Sequence, residues 1–137
     1  GPVNELGSII VVVATDAPLL PTQLKRIARR AAMGIARTGG TAGNGPGDIF
    51  LAFSTANSAA ATATEGLQQA AFVPNDRLDG LFEATVLATE EAIVNAMVAA
   101  RTMTGIDGNR LVAIDHARLQ EMLRRHDRLV TDKKPAR

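Results

Sequence analysis

The 137-residue chain contains no cysteine, no tryptophan and no tyrosine. Without cysteine, neither a disulfide framework nor a thiolate metal site can form. The two histidines, His116 and His126, are too few and too differently placed in the pattern, one at a helix start and one at a helix end, to make a metal centre. His126, at a helix C-terminus, has the place where a cation favours the dipole. No apolar run approaches the ~18 residues that a bilayer span requires. The N-terminus lacks the basic start and apolar stretch of a signal peptide. There is no excess of charge either: 15 basic against 14 acidic residues give a net charge of +1. Such a balance offers no reason to expect nucleic acid or a membrane surface as partner. The expectation is a cytoplasmic protein. Aromatic residues are scarce, four phenylalanines and nothing else. A 14.4 kDa chain so poor in large anchors is expected to complete its core against another chain.

What the chain does have is an apolar fraction of 46%, much of it alanine, and enough length for one domain with one core. Residues 9–15, with Ile9-Ile10-Val11-Val12-Val13-Ala14 apolar at every position, read as a strand covered on both faces. Asp16-Ala17-Pro18 is a turn, and Pro21 opens a helix over about 22–35 with Leu24, Ile27, Ala28, Ala31, Ala32 and Ile35 on one stripe. Lys25, Arg26, Arg29 and Arg30 fill its other face. A second apolar strand, IFLAFST, covers 49–55, and the small-residue stretch after it reads as a variable connection. A long helix over about 77–104 carries apolar residues on more than one face and is expected to be mostly buried. A turn at 105–109, a short strand at 111–114 and a last helix capped by Asp115 and running through Arg125 follow. Its inward residues are Leu119, Met122 and Leu123, and the charged tail after Val130 is expected to be loose. The mixture of strands and helices is α/β or α+β, with too few strands to close a sheet.

Two features carry candidate chemistry. The first is the pair Gly7-Ser8 at the mouth of the first strand. A rigid element would hold that hydroxyl, and a glycine carbonyl lies beside it, so Ser8 is either a nucleophile or only a residue at a strand start. The second is the loop RTGGTAGNGPGD, residues 37–48, with five glycines in twelve positions. Successive amides could cradle a phosphate. The loop lacks the lysine and Ser/Thr of a P-loop, however, and leads into a strand rather than a helix. The alternatives are a flexible loop, or glycines that let the backbone pass close to a reacting group. Asp48, where the loop meets the strand, is then either the one carboxylate aimed into a site or a turn residue. Glu91 and Asn95, one turn apart on the long helix, read as core or interface polar groups.

The blocks GSIIVVVATDAPLLPTQLKRIARRA, ARTGG…GNGPGDIFLAFSTAN and FEATVLATEEAIVNAMVAARTMTG together resemble one family. It is the small β-chain of the L-aminopeptidase/D-amidase-esterase and β-aminopeptidase family. The resemblance runs from about Pro2 to about Leu123. It implies an α+β protein, an αββα sandwich similar to N-terminal-nucleophile hydrolases, completed by an upstream α-chain. It also implies self-cleavage between Gly7 and Ser8, which makes Ser8 the N-terminal nucleophile. On that reading residues 1–7 are the end of the upstream chain, or a linker or tag remnant, and 8–137 are a single small-subunit domain.

The chemistry of the residues agrees. A serine hydroxyl needs a base, and an α-amine released at Ser8, with an ordinary pKa of about 7.7–8.0, suits that task near neutral pH. The family's loop carries a serine and, two residues later, an acid. The matching positions are Pro46 and Asp48. Asp48 keeps the carboxylate, whereas Pro46 supplies neither hydroxyl nor amide proton. The resemblance therefore implies a hydrolase acting on short peptides, amides or esters, without metal or cofactor, assembled with its α-chain into a higher oligomer. The alternatives are an inactive or unprocessed structural subunit and a related acyltransferase. The family's oxyanion and pocket groups, a tyrosine among them, lie in the α-chain.

Overall fold

The computed structural model describes residues 7–41 and 43–130. The chain divides into two compact units, Gly1–Ile93 and Val94–Arg137. The first unit is built on a β-α-β unit. Strand β1 (Ile10–Thr15) leads through helix α1 (Pro21–Arg37) to strand β2 (Ile49–Ser54). The strands pair in parallel, Ile10 opposite Ile49 and Thr15 opposite Ser54. Parallel strands need such a crossover, because a hairpin cannot join them.

Helix α1 starts where the sequence puts its proline, with Pro21 in the first turn. Gln23 closes that turn. Its Oε1 accepts from the Leu20 N–H at 3.0 Å, while its Nε2 donates to Val73 O at 2.7 Å and to Asn75 Oδ1 at 3.1 Å. One buried amide thus ties the helix start to the segment leading into the 3₁₀ turn Asn75–Arg77. At the other end Gly39, with φ +100°, terminates α1, and its N–H donates to Ala36 O at 3.1 Å. Glycine is favoured there because a side chain would strain the left-handed backbone.

The core is small. Leu19, Ile27 and Leu78 are buried together, with Val13, Ala52, Leu81 and Phe82 packed against them. Arg26 and Arg30 stack over the Phe82 ring at 4.9 and 3.9 Å from its centroid, so two of the cations expected on the open face of α1 cover the core edge instead. Helix α3 (Asp79–Ala99) packs against α1 at Gly34, where a Cβ would stand 2.6 Å from Thr89 Cβ and 2.7 Å from Val86 O. The Arg37–Glu90 ion pair joins the same two helices.

Two expectations need correcting. The strands are not covered on both faces. Val11, Val13 and Thr15, with Phe50, Ala52 and Ser54, turn inward, while Ile10 and Val12 of β1 and Ile49, Leu51 and Phe53 of β2 are 43–69% exposed. Both faces are apolar, yet the described residues bring helices to one of them only. The long helix is shorter than 77–104 and is not mostly buried. Thr85 and Thr89 are its fully buried residues, and Leu87, Val94, Met97 and Val98 are 41–51% exposed. Its apolar character on several faces exceeds the cover that the described residues provide. The connection after β2 holds a five-residue helix, α2 (Ser58–Thr62).

In the second unit, β3 (Met103–Thr104) pairs antiparallel with β4 (Arg110–Leu111). The turn between them puts Asp107 at φ 57° and Gly108 at φ 74°, with the Asn109 N–H donating to Ile106 O at 3.2 Å. Two consecutive positive φ angles match the right-handed twist of a hairpin. The expected strand 111–114 is therefore only the two-residue second arm of this hairpin. Helix α4 (His116–Arg125) is capped by Asp115, whose Oδ1 accepts from Ala117 N at 2.9 Å and Arg118 N at 3.2 Å. Leu119 and Leu123 are half-buried as expected, but Met122 is 52% exposed. The charged tail, like residues 1–6, lies outside the described residues. Among the described residues, no helix is long and apolar enough to cross a membrane.

Candidate active site

The β-α-β unit brings the loop after α1 back to the start of β1. Parallel register places Ile49 opposite Ile10, so the residues just before each strand meet at the same edge. Four residues singled out by sequence, Gly7, Ser8, Pro46 and Asp48, line one cavity of about 260 Å³. Ile9, Ile35, Thr38, Gly40 and Ile93 complete its wall. Among the described residues, Asp48 is the one ionisable group in that wall.

The contacts are specific. Ser8 Oγ accepts the Gly47 N–H at 2.8 Å. Asp48 Oδ1 accepts the Ile9 N–H at 3.1 Å, and the Ile49 N–H donates to Ile9 O at 3.0 Å. Asp48 thus caps the start of β1, and its recorded bond goes to the residue after Ser8. Ser8 is exposed, while Pro46 and Asp48 are half-buried. Among the described residues, a Cβ on Gly7 would meet nothing within 4 Å.

No histidine lines this cavity. His116 is exposed, with Nε2 2.9 Å from Val98 O at the start of α4. Among the described residues no group of three or more His, Cys, Asp or Glu side chains stands close enough to hold a metal ion. Glu91 and Asn95 are exposed rather than core. Three of the participants escaped the sequence. Gly47 supplies the amide on Ser8 Oγ, and nothing in a five-glycine loop marks which amide does so. Thr38 and Ile35 reach the cavity from the end of α1, and only the tertiary path of the loop places them there.

A model of peptidase family S58 matches residues 2–111. The chain belongs to peptidase family S58. It is 50% identical over 127 residues to the beta-peptidyl aminopeptidase BapA of Sphingosinicella microcystinivorans, covering 93% of this chain and 32% of that protein. It is 41% identical over 128 residues to the protein of the same name in Sphingosinicella xenopeptidilytica, with 90% and 31% covered. Among solved structures, the L-aminopeptidase D-Ala-esterase/amidase of Ochrobactrum anthropi superposes with a TM-score of 0.80 at 47% identity, over 95% of this chain and 37% of that one. That structure is described as a variant of the Ntn hydrolase fold. A Burkholderia beta-aminopeptidase gives a TM-score of 0.76 at 44% identity, with 90% and 36% covered. The expected α+β class and the likeness to N-terminal-nucleophile hydrolases therefore hold for this S58 chain. It spans about a third of the length of the relatives it matches.

Proposed function

We propose that this S58 chain is the β-subunit of a self-processing serine aminopeptidase/amidase with Ser8 as its nucleophile. The observation that carries the reading is the convergence of Gly7, Ser8 and Asp48 on one cavity, with the Ser8 hydroxyl hydrogen-bonded to the loop that holds the acid. In self-cleavage, Ser8 Oγ attacks the Gly7 carbonyl carbon. The Oγ–C bond forms, the Gly7–Ser8 C–N bond breaks, and the hydroxyl proton passes to the Ser8 nitrogen. Water then hydrolyses the ester, giving a Gly7 carboxyl group and a free Ser8 hydroxyl. The released amine is the base for later cycles. It takes the Oγ proton as Oγ attacks a substrate carbonyl and returns a proton to the leaving amine or alcohol. Asp48 stabilises that amine when it is charged.

The names of the relatives support short peptides, amides and esters as substrates. The upstream α-chain supplies the remaining pocket and covers the apolar face formed by Ile10, Val12, Ile49, Leu51 and Phe53. Heterodimers assemble further into a homo-oligomer. A second reading, an unprocessed structural subunit, draws on Pro46, which puts an apolar ring where the family resemblance expects a hydroxyl.

Mass spectrometry of the full-length polypeptide decides between them. A fragment beginning at Ser8 is expected, and Ser8→Ala should abolish both that fragment and hydrolysis of amino-acyl p-nitroanilides. Loss of a covalent nucleophile costs several orders of magnitude in kcat. Intact precursor after prolonged incubation, or normal turnover by Ser8→Ala, would overturn the reading.

A further inference from the structure

Three consecutive residues, Gly47 to Ile49, grip the start of β1. The Ile49 N–H donates to Ile9 O and begins the parallel ladder, while the Asp48 carboxylate accepts the Ile9 N–H and caps the strand. The bond from Gly47 is of another kind. It ends on a side-chain hydroxyl, Ser8 Oγ at 2.8 Å, and adds nothing to strand pairing. Proline at 46 has no N–H, so Gly47 carries the first amide after it. The ring of Pro46 also fixes its own φ, which restricts the swing of the peptide plane that holds the Gly47 N–H. Gly47 has no positive φ, and a Cβ there would meet nothing within 4 Å among the described residues. Neither backbone strain nor crowding explains this contact.

We propose that the Gly47 N–H is a positioning donor that fixes Ser8 Oγ for attack and stabilises it as a leaving group. The proposal rests on the reading of Ser8 as nucleophile. A serine hydroxyl has one proton and two lone pairs. The Gly47 N–H occupies one lone pair, which leaves the O–H for the base and the other lone pair for the carbonyl carbon. The hydroxyl is then held in one rotamer instead of three. When water attacks the ester on Ser8, the acyl carbon–Oγ bond breaks and Oγ leaves with alkoxide character before it takes a proton. A backbone N–H already 2.8 Å away meets that charge without reorganisation. The same donor therefore acts in the ester step of self-cleavage and in every breakdown of an acyl-enzyme.

The test deletes one N–H and nothing else. Glycolic acid in place of Gly47, introduced by cell-free translation of the full-length polypeptide, turns the 46–47 amide into an ester. The same cell-free translation with glycine at 47 regenerates the parent chain and is the control. Losing one donor of an oxyanion hole lowers kcat roughly 10²–10³-fold, and a donor on the nucleophile itself should be worth less, about 10-fold. The ester chain should lose about that factor in kcat on amino-acyl p-nitroanilides and in the rate at which the Ser8 terminus appears. KM should stay within about twofold, so that the loss falls on kcat. Rates within twofold of the parent for the ester chain, or a loss carried by KM rather than kcat, would overturn the proposal. If the ester chain does not fold, amide hydrogen exchange decides. Gly47 should exchange faster in Ser8→Ala than in the parent while Ile49 is unchanged, and equal Gly47 exchange would count against it. Normal turnover by Ser8→Ala would instead remove the nucleophile reading beneath it.

Discussion

Asp48 can be split into two roles by two substitutions. Its Oδ1 accepts the Ile9 N–H at 3.1 Å at a half-buried position, so part of its value is to the strand start. Asparagine keeps an oxygen in that place and loses only the charge. Alanine loses both. Hydrogen bonds to charged groups contribute about 1.5–3 kcal/mol, and half-exposure puts this one near the lower end, about 1–2 kcal/mol. Asp48→Ala should therefore lower Tm by several degrees, at roughly 2–8 °C per kcal/mol for domains of this size range. Asp48→Asn should hold most of that stability. Activity should separate differently. Both variants remove the carboxylate that favours the charged form of the Ser8 amine, so the amine becomes a weaker base. The acidic limb of the rate profile, where the amine must lose its proton, should move to lower pH by up to about one unit. That is the low end of what an opposite charge within ~4–6 Å produces. The plateau kcat should fall about 10-fold or more, within the 10²–10⁴-fold span of general acid–base assistance. The assay is steady-state hydrolysis of an amino-acyl p-nitroanilide from pH 5 to 10 beside thermal melts of the same samples. Parental kcat and pH profile in Asp48→Asn, with Asp48→Ala merely less stable, would reduce Asp48 to a strand cap.

Three further outcomes are expected. Gly34→Ala sets a Cβ 2.7 Å from the Val86 carbonyl oxygen, which cannot move without bending α3; overpacking of this kind costs about 1–3 kcal/mol, and an unchanged melting temperature would refute the close approach. Pro46→Ser adds a donor and acceptor beside Ser8 and should raise kcat several-fold on small amino-acyl amides. A fall would mean that the stiffness of proline matters more than the hydroxyl. The chain made alone should associate through the exposed face of Ile10, Val12, Ile49, Leu51 and Phe53, and Leu51→Lys should reduce that association in light scattering. A monodisperse monomer in both cases would speak against a partner on this face.

The elements that were legible from sequence are those fixed by local chemistry. Pro21 marked the start of α1 to within one residue, Asp115 the cap of α4, and the two apolar runs the paired strands. Gly7, Ser8, Pro46 and Asp48 were brought to one place by a parallel register that no local signal encodes, and it was the family resemblance that joined them in advance. The hairpin at 103–111 was missed because its arms are two residues each, too short for alternation to register. Its turn, Asp107-Gly108, was visible as punctuation but not as a pair of positive φ angles. Gln23 was missed because a glutamine on a basic helix face looks solvated, whereas here it satisfies Leu20, Val73 and Asn75 at once.

The main error is also the most informative one. An all-apolar strand predicts cover on both faces, and the described residues cover one. The physics behind the inference is sound, because exposing Val12, Leu51 and Phe53 to water is unfavourable at about 25 cal/mol per Å² of apolar surface. The scarcity of large aromatic anchors points the same way, to a core that these residues do not complete by themselves. Long helix α3 repeats the pattern, with apolar residues beyond those the β-α-β unit can bury. The chain spans about a third of its relatives' length, and its described residues leave apolar side chains of β1, β2 and α3 exposed. The site fits the same logic. Ser8, Asp48 and the Gly47 amide meet within this chain, and Ser8 is exposed; under the proposed mechanism, chemistry at Ser8 would call for further walls that exclude water.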